Sequence, residues 1–113
     1  MKYDVEVAAD ELMLTTEELK EIFEYYFDDA VECVASCYTA NSKRDYITVA
    51  KKIHALKGAS MNLRMDEIIG MAIELESLAN QEEKAEITQY LPKIGDKLEI
   101  LKDEIYAFYN RSI

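Results

Sequence analysis

"VAKKIHALKGASMNL", residues 49–63, is the stretch of sequence that decides the fold. Its apolar and small side chains recur at intervals of four and three residues, which is the spacing of one face of an α-helix. The positions on that face are Val49, Ile53, Leu56, Ser60 and Leu63. A helix with one apolar face can bury it only against other elements, so the pattern predicts an amphipathic helix within a helical assembly.

The segments on either side carry similar apolar stripes. The first begins at TTEEL, where Thr15 and Glu18 have the spacing of a capping box. The last stripe continues through Pro92 and Gly95, which predicts a continuous or kinked helix. The stripe positions are Leu19, Phe23, Tyr26, Ala30, Cys33 and Cys37, then Met65, Ile68, Ala72, Leu75 and Ala79, and finally Ile87, Leu91, Ile94, Leu98, Leu101, Ile105 and Phe108.

Short polar connections separate these segments. NSKRD ends the first helix, with Asn41 or Ser42 as the expected cap of the next one. RMDE makes the second connection, with Asp66 as the expected cap, and NQEE makes the last. Four amphipathic helices with short loops predict an all-α fold, an antiparallel up-and-down four-helix bundle. The acidic opening at Asp4–Met13 predicts an additional short N-terminal helix or arm.

The composition bounds the class of protein. A length of 113 residues suits a single domain, 1–113, and the scarcity of glycine and proline favours long helices. The net charge of −10 argues against binding nucleic acid or anionic membrane through a general field. No apolar run approaches the roughly 20 residues of a membrane span, and the acidic start is no secretory signal. We therefore expect a soluble cytoplasmic protein, and the sequence requires nothing beyond a monomer.

The two cysteines, Cys33 and Cys37, are four residues apart and share a helical face. We interpret them as reduced thiols in the core, with a redox pair as the alternative, although this spacing rarely allows disulfide geometry. A metal site would need more soft ligands than one distant histidine, so we expect none.

His54 is the only histidine, and it lies about 140° from the centre of its helix's apolar stripe, at about 100° per residue. It should therefore face solvent. Ala50, Lys57, Gly58 and Met61 share its side of the helix. Glycine costs about 1 kcal/mol relative to alanine inside a helix, and an outward glycine lets another protein approach closely.

An exposed imidazole is largely neutral and nucleophilic near cellular pH, so His54 is suited to carry a phosphoryl group. Lys57 is placed to stabilise the charge on the phosphoryl oxygens. The sequence has no glycine-rich nucleotide loop, so we expect a phosphocarrier without autonomous kinase activity.

HALKGASMNL, residues 54–63, resembles the signature H-x-L-K-G-x-[SA]-x-x-L-G of histidine-containing phosphotransfer (Hpt) domains. AIELE, residues 72–76, resembles the family helix that packs beside the histidine helix, and the helix count fits across roughly residues 12–110. Arg64 departs from the glycine that the family often has, and Glu76 stands where some members have glutamine. The matching residues are His54, Leu56, Lys57, Gly58, Ser60 and Leu63.

The resemblance implies a phosphorelay intermediate of two-component signalling. His54 would accept a phosphoryl group from a response-regulator receiver aspartate or a sensor histidine kinase and pass it to another receiver. The receiver would supply Mg²⁺, and no cofactor is expected on this chain. Members dock through an apolar patch around the histidine, for which Ala50 and Met61 are the candidates here.

Ser60 and Glu76 are the expected supporting residues of this site. Ser60 is predicted on the core side of the helix, packing there with a bond back to the helix backbone. For Glu76 two readings stay open, because its carboxylate either points away from the site or accepts a bond from His54 Nδ1.

Two other functions fit the same residues. One is an interaction module that binds receivers without being phosphorylated, against which the intact set of His54, Lys57 and Gly58 argues. The other is the excised phosphorylation domain of a chemotaxis-type kinase. The initial methionine and the end soon after the last helix favour a free-standing protein.

Overall fold

The computed structural model describes residues 3–111, which form five α-helices and no strands. The all-α class predicted from the stripes is confirmed, and the acidic opening does form a short helix. The helices are α1 (Val5–Leu12), α2 (Thr16–Ser42), α3 (Tyr46–Asn62), α4 (Asp66–Asn80) and α5 (Lys84–Arg111).

The start of α2 follows the predicted capping box. Thr15 Oγ1 accepts from the Glu18 backbone N–H at 3.0 Å, and Glu18 Oε1 accepts from the Thr15 N–H at 3.0 Å. These reciprocal bonds satisfy two backbone donors that have no partner within the helix. The prediction for this helix start is confirmed.

The predicted caps of the next two helices are wrong. Asn41 and Ser42 lie in the last turn of α2, and Asp45 caps α3 by accepting from the Thr48 N–H at 3.1 Å. The helix continues because the Asn41 side chain is buried and donates to Thr88 Oγ1 of α5 at 2.9 Å. Asp66 is the first residue of α4 and not its cap.

The core forms where the apolar stripes of four helices meet. Helix α2 packs against α3 and α5, and α4 packs against the same two helices. Every stripe position is buried except Cys33 and Phe108, which are partly exposed. Helix α1 adds Val5, Ala8 and Ala9 to this core, and the nearby Tyr3 hydroxyl donates to the Leu63 carbonyl at 2.7 Å.

Helix α5 runs without interruption through Pro92, as the stripe predicted. Proline has no N–H to donate to the carbonyl four residues earlier, so the helix is held there by the burial of Leu91 and Ile94 on either side. Within the described part of the chain, no helix combines the length and apolar character that crossing a membrane requires.

Both cysteines are free thiols. Cys37 is buried, whereas Cys33 is partly exposed and its thiol donates to the Lys52 carbonyl of α3 at 3.1 Å. The structure thus places one thiol wholly in the core and the other at its edge.

Candidate functional site

His54 projects from the middle of α3 into solvent. Its side chain is 68% exposed, while Val49, Ile53 and Leu56 on the opposite face are buried. The helical phase read from the sequence is therefore confirmed. The fold presents the imidazole on a rigid helix whose other face is fixed in the core.

Glu76 of α4 joins the two polar residues of this face. Its Oε2 lies 3.1 Å from His54 Nδ1, and its Oε1 accepts from Lys57 Nζ at 2.8 Å. The sequence left two orientations open for Glu76. In the structure its carboxylate bonds the histidine and does not point away from the site. Helix α4 contributes to the site because its Leu75 is buried against the bundle, which turns the next residue towards α3.

The Lys57 ammonium is the main cause that lowers the pKa of Glu76, and the His54 bond adds to it against the opposing effect of burial. The carboxylate is therefore ionised at neutral pH and can only accept hydrogen bonds. Its bond to the ring accordingly puts a proton on His54 Nδ1. The lone pair is then on Nε2, the nitrogen at the other end of the ring.

Gly58 lies one turn beyond His54 and is exposed. A Cβ built at this position meets no atom within 4 Å, so packing inside this chain does not require glycine. The same holds for Gly70 and Gly95. Open space for a Cβ therefore does not distinguish Gly58 from the other two glycines. Its position beside the imidazole of His54 does.

Apolar side chains surround the histidine, and sequence reasoning found only some of them. Met61 is 57% exposed as expected, whereas Ala50 is partly buried and packs on the core. Two residues were missed, Ile47 at 72% and Ile73 at 54% exposure. Ile47 lies two turns before His54 on the same face, so its helical phase was a signal that could have found it.

Ile73 could be found only from the packing of α4 on α3. It precedes Glu76 by three residues, so both side chains lie on the same side of α4. Because Glu76 reaches α3, that side of α4 borders the histidine helix. The exposed Ile73 therefore extends the apolar surface from one helix to the next.

Ser60 lies beneath the site and is fully buried. Its hydroxyl donates to the Leu56 carbonyl at 2.7 Å, which confirms the predicted bond back to the helix. The Tyr26 hydroxyl of α2 lies 2.7 Å from Ser60 Oγ, and burial raises the pKa of Tyr26 to about 12. This buried pair fixes α3 to α2 on the side opposite the imidazole.

Arg64, in the turn after the histidine helix, adopts a left-handed backbone conformation with φ 57°. That conformation favours glycine, so arginine carries a local strain here. Its Nε donates to Glu11 Oε2 at 2.7 Å, which connects the turn to α1. Among residues 3–111, no group of three or more His, Cys, Asp and Glu side chains is placed to hold a metal ion.

Comparison with known proteins identifies a family. The model of a family described as the Hpt domain matches residues 21–108, which cover most of the chain and include α3 and α4 entirely. No curated protein and no solved structure matches the chain.

Proposed function

Because the chain belongs to the Hpt domain family, we propose that it is a phosphorelay intermediate whose phosphoryl group is carried by His54. Members of this family are phosphocarriers of two-component signalling that interact with receiver domains and kinases. The observation that carries the assignment to His54 is its solvent-exposed ring, with Lys57 on the next turn of the same helix and Glu76 against Nδ1.

The transfer proceeds by direct attack of the ring nitrogen. The Nε2 lone pair of His54 attacks the phosphorus of an aspartyl phosphate on a receiver domain. The bond from phosphorus to the aspartate oxygen breaks, and the electron pair leaves with the carboxylate. The reverse reaction with the aspartate of a second receiver restores the free imidazole, and the proton on Nδ1 stays in place throughout.

Lys57 and Glu76 act on the two ends of this reaction. The Lys57 ammonium stabilises negative charge on the phosphoryl oxygens. The Glu76 carboxylate holds the ring and stabilises the positive charge that develops on it as Nε2 forms its new bond. Because Glu76 bonds Nδ1, it stands at the end of the ring away from the phosphoryl group, which limits their repulsion.

The docking surface consists of the apolar side chains around His54 together with the open position at Gly58. Ile47, Met61 and Ile73 are its exposed large apolar side chains, and Ala50 is less exposed because it is partly buried. We expect no cofactor on this chain. The Mg²⁺ that neutralises the phosphoryl oxygens would come with the receiver domain.

The scaffold for this role is a single domain, 1–113, acting as a monomer, with α2–α5 in an antiparallel up-and-down arrangement. The order of contacts supports this arrangement. Tyr26 of α2 contacts Ser60 near the end of α3. Cys33, which follows Tyr26 along α2, contacts Lys52, which precedes Ser60 along α3. The contacts of α5 with α2 and with α4 follow the same rule. In each pair, residues near the start of one helix contact residues later in the other.

Incubation with a phosphorylated receiver domain and Mg²⁺ tests the proposal. The wild type should acquire label that is stable to base and labile to acid, and His54→Gln should acquire none. A wild type that binds phosphorylated receivers without acquiring label would instead be an interaction module. Label acquired only from a kinase, and from no receiver, would favour the phosphorylation domain of a chemotaxis-type kinase.

A further inference from the structure

The charges of the chain are segregated around the histidine helix. All 23 Asp and Glu residues lie outside α3, which contains Lys51, Lys52 and Lys57. Basic residues also flank it. Lys43 and Arg44 precede its acidic cap Asp45, and Arg64, which pairs with Glu11, follows the helix. An acidic protein with a net charge of −10 therefore presents a helix that carries only positive side chains.

The positive charge lies on the face of α3 that carries His54. Lys51 precedes the histidine by three residues and Lys57 follows it by three, so both neighbour it on the helix surface. Lys51 is exposed. Helix α3 thus places one cation on each side of the imidazole along the helix axis.

The carboxylates of the neighbouring helix α4 cancel only part of this charge. Glu67 pairs with Lys97 of α5 at 2.8 Å, and the charge of Glu74 acts on Tyr90 of α5, so both face away from α3. Glu76 does face α3, and its bond to Lys57 Nζ at 2.8 Å offsets the charge of that lysine. The exposed Lys51 still gives the surface that borders the imidazole a positive charge, and the exposed Lys52 adds to the charge of the helix.

We propose that the His54 face docks a protein surface of net negative charge, and that this local field orients the partner before contact. The inference rests on the proposed phosphorelay function and names the electrostatic class of its partner. At physiological ionic strength charges are screened beyond about 8 Å. An acidic partner is therefore repelled by most of the molecule, and it is attracted only when α3 faces it.

A protein fits this face better than an anionic lipid surface or a nucleic acid does. The exposed apolar side chains of Ile47, Met61 and Ile73 lie among the lysines, and the gap at Gly58 admits a protruding group. A membrane or nucleic acid is also an extended anion, which would meet the repulsion of the acidic helices beside α3. Protein interfaces combine such an apolar centre with a charged rim.

Stopped-flow association kinetics with an acidic, phosphorylated receiver domain test the inference. Salt should be varied from about 0.01 M to about 1 M, over which the screening length falls from about 30 Å to about 3 Å. The association rate should fall as salt rises, although both proteins are acidic. Lys51→Glu should slow association at low salt by about tenfold or more, and Lys51→Gln should have a smaller effect.

Lys93→Glu is the matched control, because it makes the same change in net charge on the exposed surface of α5. It should change the association rate by far less than Lys51→Glu. The inference would be overturned by equal association rates for the two variants, or by association that becomes faster as salt rises. In either case, label acquired by the wild type would leave the phosphorelay function intact. Binding to anionic phospholipid vesicles that Lys51→Glu abolishes, with receiver association unchanged, would also overturn it. Absence of label on the wild type would contradict the phosphorelay function itself.

Discussion

The carboxylate of Glu76 and the imidazole of His54 lie 3.1 Å apart, across the boundary between α4 and α3. This contact determines which ring nitrogen carries the proton, because an ionised carboxylate accepts only. The carboxylate is ionised at neutral pH, because the ordinary pKa of a glutamate is 4.5 and the neighbouring Lys57 lowers that of Glu76 further. One side chain of α4 thus determines which ring nitrogen of His54 has the free lone pair.

Glu76→Ala should remove the preference of neutral His54 for a proton on Nδ1. Nitrogen NMR of the ring measures the two tautomers directly, and the wild type should have mainly the form with Nε2 unprotonated. Glu76→Gln is the matched variant, because an amide oxygen still accepts from Nδ1 and should retain the preference. The same tautomer distribution in the wild type and Glu76→Ala would contradict this role.

Lys57→Ala should raise the pKa of Glu76 towards its ordinary value of 4.5, because the bond from Lys57 is the largest cause of the depression. A carboxyl whose folded pKa is depressed stabilises the fold fully above the unfolded value, and this contribution is lost as the pH falls through the folded pKa. The wild type should therefore lose more of its free energy of unfolding on acidification than Lys57→Ala does. Urea denaturation at neutral and acidic pH measures the difference, which for such a pair is about 0.2–1 kcal/mol.

The ion pair of Lys97 with Glu67 supplies the control for this experiment. Lys97 is the main cause that lowers the pKa of Glu67, so Lys97→Ala should raise the pKa of that carboxyl and leave Glu76 unchanged. Carboxyl-carbon NMR follows the two glutamates separately. A pKa of Glu76 that does not respond to Lys57→Ala would contradict the geometry of the site.

Ser60→Ala should destabilise the fold more than Tyr26→Phe does. The alanine variant leaves the buried Tyr26 hydroxyl without its acceptor, which costs about 1–3 kcal/mol. The phenylalanine variant leaves Ser60 bonded to the Leu56 carbonyl, so only one bond of about 0.5–1.5 kcal/mol is lost. Urea denaturation orders the two variants, and the reverse order would show that Tyr26 does not depend on Ser60 for its partner.

Gly58→Gln should fold at least as stably as the wild type but slow phosphoryl transfer. Glutamine is the better helix former, and the position has open space for its Cβ. Its side chain would displace an approaching receiver, and a misplacement of about 1 Å costs about 10²-fold in rate. Single-turnover transfer from a phosphorylated receiver gives the rate.

Gly95→Gln on α5 is the matched control, because this glycine also has open space for a Cβ but lies far along the chain from the histidine helix. Its stability should change in the same direction, and its transfer rate should not change. Equal transfer rates for the two glutamine variants and the wild type would remove the proposed reason for glycine at position 58.

The helices and the exposure of His54 could be predicted because they follow from periodicity along one chain segment. The apolar stripe of α3 determines which side is buried, and the position of His54 then follows from 100° per residue. The capping box at Thr15 is equally local. These features need no information about where the other helices lie.

Features that depend on contacts between helices could not be predicted in the same way. Asn41 extends α2 because its amide meets Thr88 of α5, so the polar segment that looked like a helix end is still helical. Ile73 and Glu76 join the site only because α4 packs on α3. Sequence reasoning gave two orientations for Glu76, and only the rotamer in the folded protein distinguishes them.

We expect the transferred phosphoryl group to be on His54 Nε2. Phosphorus and nitrogen NMR of the protein after transfer from a phosphorylated receiver tests it most directly. One phosphorus resonance per chain is expected, coupled to Nε2 of His54 and absent from His54→Gln. A phosphoryl group on Nδ1, or on a residue other than His54, would contradict it.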